Sequence, residues 1–289
     1  MRYIFNKYNL KNEKINYNKI ISDLSLRLKK RYRKNINEKR YNEIIKNQNY
    51  GEIYDSIMTE MYLNNKKNIW AEKNQLQWRD ISDFLRIMKN GKVIHILRDP
   101  RAVMCSYKKF TYHRKPAYLG SAFNSVDAMY HIMGHIKKYK KSFLFIKYED
   151  LIFNREENLN KIWKFLNVKK INHVNFNNLK DGNNKRWIKN TTQVKKKFDK
   201  KLAIEGWKKE LSGNEINFVE TICYKYMKKF NYEIYQKKSK IDHNNIKKLI
   251  KNNDKLKHMY KSWCDSKYKL GVQSYPMNPL VKKNWGSSS

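Results

Sequence analysis

The stretch Val93-Ile-His-Ile-Leu-Arg98-Asp-Pro-Arg101-Ala-Val-Met-Cys-Ser106 constrains the fold more than any other part of the chain. Five mostly apolar, partly β-branched residues read as a buried strand that ends at Arg98. Asp99 is a capping residue type, and Pro100 suits the first helical position, where its missing N–H costs nothing. A helix therefore starts where the strand stops. Its free N–H groups and positive dipole end face the carboxyl edge of a sheet, a place that holds anions. There Arg98 can fork onto a phosphate and Ser106, two turns on, can donate a hydroxyl. The plainer alternative makes Arg98 and Asp99 a local ion pair at a strand end and Ser106 a small residue on a packed helix face.

Five further segments stand in an order that bears on this choice. Upstream is Ile69-Trp70-Ala71-Glu72-Lys73. Downstream, Phe143-Leu-Phe-Ile-Lys-Tyr148-Glu149-Asp150-Leu151 reads as a second strand with a polar ending. Asn158 to Leu166 then spaces Leu159, Ile162, Trp163 and Leu166 as one helix face. Asn190-Thr191-Thr192-Gln193 follows, and Gly206-Trp207-Lys-Lys-Glu-Leu211-Ser212-Gly-Asn-Glu215 closes the series. Ser212 and Glu215 have the spacing of a capping box for a following helix.

Taken together, these segments resemble the sulfotransferases that use 3'-phosphoadenosine 5'-phosphosulfate (PAPS), over roughly Trp70 to Tyr232. Arg98 and Ser106 match that family's 3'-phosphate-binding positions. The resemblance implies an α/β fold, a parallel sheet flanked by helices around a P-loop-type nucleotide-binding core. It implies PAPS as sulfonate donor, with no metal, and a hydroxyl or amine acceptor. Lys73 falls where the family's Lys reaches the transferring sulfonate, and Tyr148 falls near the adenine. Thr191 and Thr192 fall in a Ser/Thr element close to the phosphosulfate, giving Lys73 and Thr191 catalytic roles and Arg98, Ser106, Tyr148 and Thr192 binding roles. Lys200-Lys201 occupies the loop in which the family carries basic residues that close over the 3'-phosphate.

One departure from the family is large. Its members open with a strand, a Gly-rich phosphate loop and a helix, whereas here the first glycine is Gly51 and the first proline Pro100. Residues ahead of Trp70 read instead as polar helices, with apolar faces at Ile20, Ile21, Leu24 and Leu28, then Tyr41, Ile44 and Ile45, then Ile53, Ile57 and Met61. The expectation is a chain that lacks the amino-terminal phosphosulfate loop. Such a chain would bind nucleotide weakly, and a catalytically inactive relative that binds nucleotide or an acidic ligand stays open as an alternative. Glu72 is the nearest carboxylate to Lys73, and an ion pair between these neighbours is its expected role.

Composition adds bounds. The chain has 289 residues, a hydrophobic fraction of 40% and 64 Lys+Arg against 26 Asp+Glu, a net charge of +38. Such a surplus suits an acidic acceptor, whether carbohydrate, peptide or small molecule, or attraction for a polyanionic nucleotide. A basic nucleic-acid-binding protein is the alternative from another class, although no basic segment is interleaved with aromatics as a recognisable module. Cys105, Cys223 and Cys264 lack paired spacing, so Cys105 and Cys223 read as core residues. His131 and His135, four apart, read as two residues of one helix face, and His113 stands near the phosphate segment. No run approaches the ~18 apolar residues of a membrane helix, and Met1-Arg-Tyr-Ile-Phe-Asn lacks a signal peptide's apolar stretch, which makes a cytoplasmic location the default. The organisation expected is a sulfotransferase-like domain over 1–236 and a helical extension over 237–289. There Ile246, Leu249, Ile250, Leu256, Met259, Tyr260 and Trp263 form one stripe, read as a helix docked on the core.

Overall fold

Ile53, Tyr54, Ile57 and Met58, all buried, recur at helical spacing and fix α1 (Tyr50–Tyr62). In this computed structural model the described residues are 50–63, 69–74, 77–111, 116–170, 199–235 and 241–270, with scattered positions between 21 and 41. They fall into two compact units. The first comprises residues 1–74, 83–89 and 275–289, the second 75–82 and 90–274. In the first, residues 69–74 fold back on α1. The Trp70 indole donates to Asp55 at 2.7 Å, its ring meets Tyr54 edge-on at 5.4 Å, and the Tyr54 hydroxyl donates to Glu72.

After a 3-10 turn (Trp78–Asp80), α2 (Ile81–Ile87) precedes the Val93–Ser106 stretch. The strand is β1 (Val93–Leu97), and α3 (Pro100–Thr111) starts three residues after it ends. A second 3-10 turn (Pro116–Leu119) leads into α4 (Gly120–Lys138) and then β2 (Phe143–Lys147). β1 and β2 pair in parallel, Val93 opposite Phe143 through Leu97 opposite Lys147, with α3 and α4 as the crossover. Among the described residues the sheet has these two strands. The expectation of a buried β1 is met only at Leu97, and Ile96 is 49% exposed, because a two-stranded parallel sheet leaves strand faces that further layers would cover.

The chain continues as α5 (Tyr148–Phe153), α6 (Arg155–Leu166), α7 (Lys200–Glu205), α8 (Trp207–Glu210) and α9 (Gly213–Lys229). The core of this unit lies between α4 and α9. Phe123, Val126, Met129 and Ile132 of α4 are fully buried, as are Phe218, Val219, Ile222 and Cys223 of α9 to within 2%. The Phe123 and Phe218 rings meet edge-on at 5.8 Å, and the Cys223 thiol donates to the Ala122 carbonyl at 3.3 Å. Cys105 is buried too, so both cysteines read as core residues are core residues.

Polar residues are buried in this unit as well, Asp127 and Asn158 among them. Asp127 of α4 accepts from the Trp78 indole at 2.6 Å and from the Arg79 Nε at 2.7 Å, which pins the first 3-10 turn to α4. On α6 the anticipated apolar face, Leu159, Ile162, Trp163 and Leu166, is only half-buried. The residue that disappears from solvent is Asn158, whose amide donates to the Asp150 and Asn154 carbonyls at 3.1 and 2.9 Å.

The carboxy-terminal stripe is one face on two helices, α10 (His243–Ile250) and α11 (Asp254–Asp265), rather than on a single helix. The break has a local cause: the Asn253 side chain accepts the Leu256 N–H at 3.1 Å and caps a new helix in place of continuing the old one. The second of them, α11, docks on α4 as expected. Trp263 faces Phe123 at 6.3 Å, and Leu256 and Met259 press on Gly120, where a Cβ would meet them at 3.3 and 3.4 Å.

Candidate functional site

The β1–α3 joint is built as its sequence dictates. Asp99 caps α3, its side chain accepting the Arg101 N–H at 2.8 Å and its carbonyl the Val103 N–H at 2.9 Å. Arg98 thus stands at the carboxyl end of β1, beside the amino end of α3. The ion pair considered for Arg98 and Asp99 does not form. Asp99 turns inward to Arg101, with Nε to Oδ1 at 3.0 Å and Nη2 to Oδ2 at 2.6 Å, because both side chains are buried and a buried carboxylate takes the nearest bidentate partner.

Arg98 is held differently. Its guanidinium lies 4.7 Å from the centre of the Tyr148 ring, at the start of α5, and Nη2 donates to the Ala203 carbonyl of α7. Its Nε is buried and bonded to nothing among the described residues. A buried guanidinium N–H without a partner is costly, and an anion in the joint would satisfy it. Ser106 is half-buried, two turns into α3, on the face it shares with Asp99, Ala102 and Val103. The Arg98 charge reaches that turn. Burial pushes the adjacent Cys105 thiol up, against the opposing pull of Lys109, Arg98 and Lys108.

The carboxylates round the joint are committed. Glu149 accepts the Asp99 N–H at 2.9 Å and the Tyr232 hydroxyl at 3.2 Å, and burial still holds its carboxyl above the usual range. Glu220 of α9 accepts from Arg101 Nη1 at 2.6 Å. Burial works to lower Arg101, but Asp99 and Glu220 outweigh it and raise its proton affinity. At the far end of α3, Lys108 donates to Glu215 at 2.9 Å. The capping box read from Ser212 and Glu215 is present, with the Ser212 N–H reaching Glu215 at 2.7 Å and the Glu215 N–H reaching the Ser212 hydroxyl at 3.3 Å. Burial would raise Glu215, yet hydrogen bonds from Tyr118, Ser212 and Lys108 hold it below the ordinary carboxylate range.

Of the residues singled out from sequence, Arg98 and Tyr148 come together, and Ser106 lies two turns along the helix that Arg98 borders. Lys73 belongs to the first compact unit. Its neighbour Glu72 accepts from the Tyr54 hydroxyl of α1 rather than pairing with Lys73. Thr191, Thr192 and His113 lie outside the described residues. Lys200 and Lys201 are exposed on the first turn of α7. That helix turns into α8 at Gly206, where a Cβ would stand 2.4 Å from the Leu202 carbonyl oxygen. Among the described residues no group of three or more His, Cys, Asp or Glu is arranged to hold a metal, and no helix is long and apolar enough to cross a membrane.

Arg101, Glu220 and Tyr235 were not expected from sequence to belong to the site. A signal was present: Glu220 sits inside the apolar run Phe218, Val219, Ile222, Cys223, and a carboxylate in such a stripe requires a cationic partner. Compared with known proteins, residues 82–231 match the family described as Sulfotransferase domain. No curated protein and no solved structure matches the chain.

Proposed function

Because the chain belongs to the sulfotransferase-domain family, we propose that it transfers a sulfonate group from PAPS to a hydroxyl or amine of an acceptor. In that reaction the acceptor atom forms a bond to sulfur, the bond from sulfur to the 5'-phosphate oxygen breaks, and the acceptor's proton is released. The observation that carries the reading is the buried Nε of Arg98, unbonded among the described residues, at the junction of a parallel strand end and a helix amino terminus. We read the β1–α3 and β2–α5 units as neighbouring strands of a P-loop-type nucleotide core.

Within it, Arg98 binds the 3'-phosphate, Ser106 donates its hydroxyl to the same group, and Tyr148 supplies an aromatic face beside it. Lys73 is assigned to the charge that develops on the leaving oxygen, Thr191 to a hydrogen bond on the sulfonate and Thr192 to the 5'-phosphate. The net charge of +38 supports an acidic acceptor, since a strongly positive surface raises the local concentration of anions.

Titration calorimetry of adenosine 3',5'-bisphosphate against adenosine 5'-monophosphate tests the reading. Selective binding is expected, with Arg98→Ala weakening the bisphosphate by about tenfold or more, the value of one charge-assisted hydrogen bond. Equal affinity of wild type and variant would remove Arg98 from the phosphate site.

A further inference from the structure

Arg98 is held from two sides, and both holds lead to one neighbour. On the first side is Tyr148, and the residue after it, Glu149, is tied through the Asp99 N–H at 2.9 Å to the β1–α3 turn. On the second side is the Ala203 carbonyl of α7, a helix that passes through Gly206 into Trp207 of α8. The Trp207 ring lies 4.0 Å from the Arg101 guanidinium, and the Tyr235 ring 5.3 Å from it.

Arg101 closes the circuit. It forks onto Asp99, donates to Glu220 at 2.6 Å, and is 2% exposed. Glu220 in turn accepts the Tyr235 N–H at 3.1 Å. The two arginines of the Arg-Asp-Pro-Arg segment therefore differ in kind. Arg98 keeps a buried donor without a partner among the described residues, while Nε, Nη1 and Nη2 of Arg101 are all engaged by carboxylates.

We propose that Arg101 is a positioning residue for the anion site, one that sets the direction of Arg98 without touching a ligand. It does so by fixing, from one buried guanidinium, both the turn that carries Asp99 and the segment that carries Ala203. The inference rests on the nucleotide reading given under Proposed function. A buried ion cluster is weak evidence for stability, because desolvation offsets its Coulombic gain, but it does hold elements in one arrangement. Lysine cannot take the place of Arg101. Its ammonium is a point charge with neither a fork for Asp99 nor a planar face for Trp207.

The test compares wild type, Arg101→Lys and Glu220→Gln as full chains, measuring the ratio of affinities for adenosine 3',5'-bisphosphate and adenosine 5'-monophosphate, with circular dichroism to establish folding. A role confined to stability would lower both affinities together or neither. A positioning role lowers the ratio about tenfold in Arg101→Lys and leaves the monophosphate within about threefold. Should Arg101→Lys not fold, Glu220→Gln keeps the shape of the cluster while removing one charge, and the same fall in ratio is expected from it. A wild-type ratio preserved in a folded variant overturns the positioning role alone. A wild type with no preference for the bisphosphate overturns the nucleotide reading and the positioning role with it.

Discussion

Asp127 shows how much one carboxylate can organise. It is 1% exposed, yet it faces the Trp78 indole and the Arg79 guanidinium, so its charge is matched on α4 by donors from a turn nearly fifty positions earlier. Asp127→Asn keeps the shape but replaces one acceptor oxygen with an amide that cannot accept. Removing a charge-assisted acceptor from buried donors costs about 2 kcal/mol, which urea unfolding would show as a lower midpoint at unchanged slope. Lys73 provides a functional contrast at the same scale. If it acts on the leaving oxygen, Lys73→Ala lowers sulfonate transfer by about a hundredfold or more while bisphosphate affinity stays within a few-fold. Equal losses of both would assign the residue to binding.

At the scale of elements, the helix starts are where local chemistry and tertiary contacts agree most closely. The box that opens α9 is reinforced from α3 and from the second 3-10 turn, since Lys108 of the one and Tyr118 of the other converge on the same Glu215 that reaches back to Ser212. Ser212→Ala should lower stability by about 1 kcal/mol, the ordinary cost of a lost cap. Glu215→Ala should cost more because Lys108 and Tyr118 then lose a shared acceptor, and thermal melts of the two variants would rank them.

These elements also show what a sequence can disclose. β1, α3, β2 and the α9 cap were legible because a β-branched run, a Pro at the first helical position and a Ser-x-x-Glu spacing each have one dominant local meaning. Arg98 and Tyr148 were legible as site residues, though their contact was not. Arg101 was missed because Glu220, which joins Asp99 in holding it, is 119 positions away, and the cluster exists only once α9 crosses α3. The break at Asn253 was missed for the opposite reason, as an apolar stripe is continuous whether one helix carries it or two.

At the scale of the whole molecule, three histidines of the described residues make the fold sensitive to acid. Loss of hydration, with a smaller contribution from His135, holds His95 down at about 4, and burial also lowers His131 and His135. In the unfolded chain these groups take up protons near their ordinary value of about 6.5. Between about pH 4 and 6.5 the unfolded state therefore binds more protons at these histidines, so their contribution to stability rises with pH through that window and is lost on acidification. Urea unfolding at pH 5 and pH 7 should give the lower midpoint at pH 5. His95→Gln should flatten that difference, and an unchanged pH dependence would show that His95 is protonated alike in both states.

The parallel pairing of β1 and β2 carries one more consequence, for the order in which the molecule assembles. Residues that must meet, Val93 with Phe143 and Leu97 with Lys147, are separated by the whole of α3 and α4, so no hairpin can start the sheet. The helices form from near neighbours, whereas the strands must wait until a long stretch of chain has been gathered in. Arg98 ends one of those strands and Tyr148 follows the other. On a ribosome the two cannot meet until the chain beyond β2 has emerged, so nascent chains that stop short of it would carry α3 and its capped start without the aromatic face that Arg98 rests on.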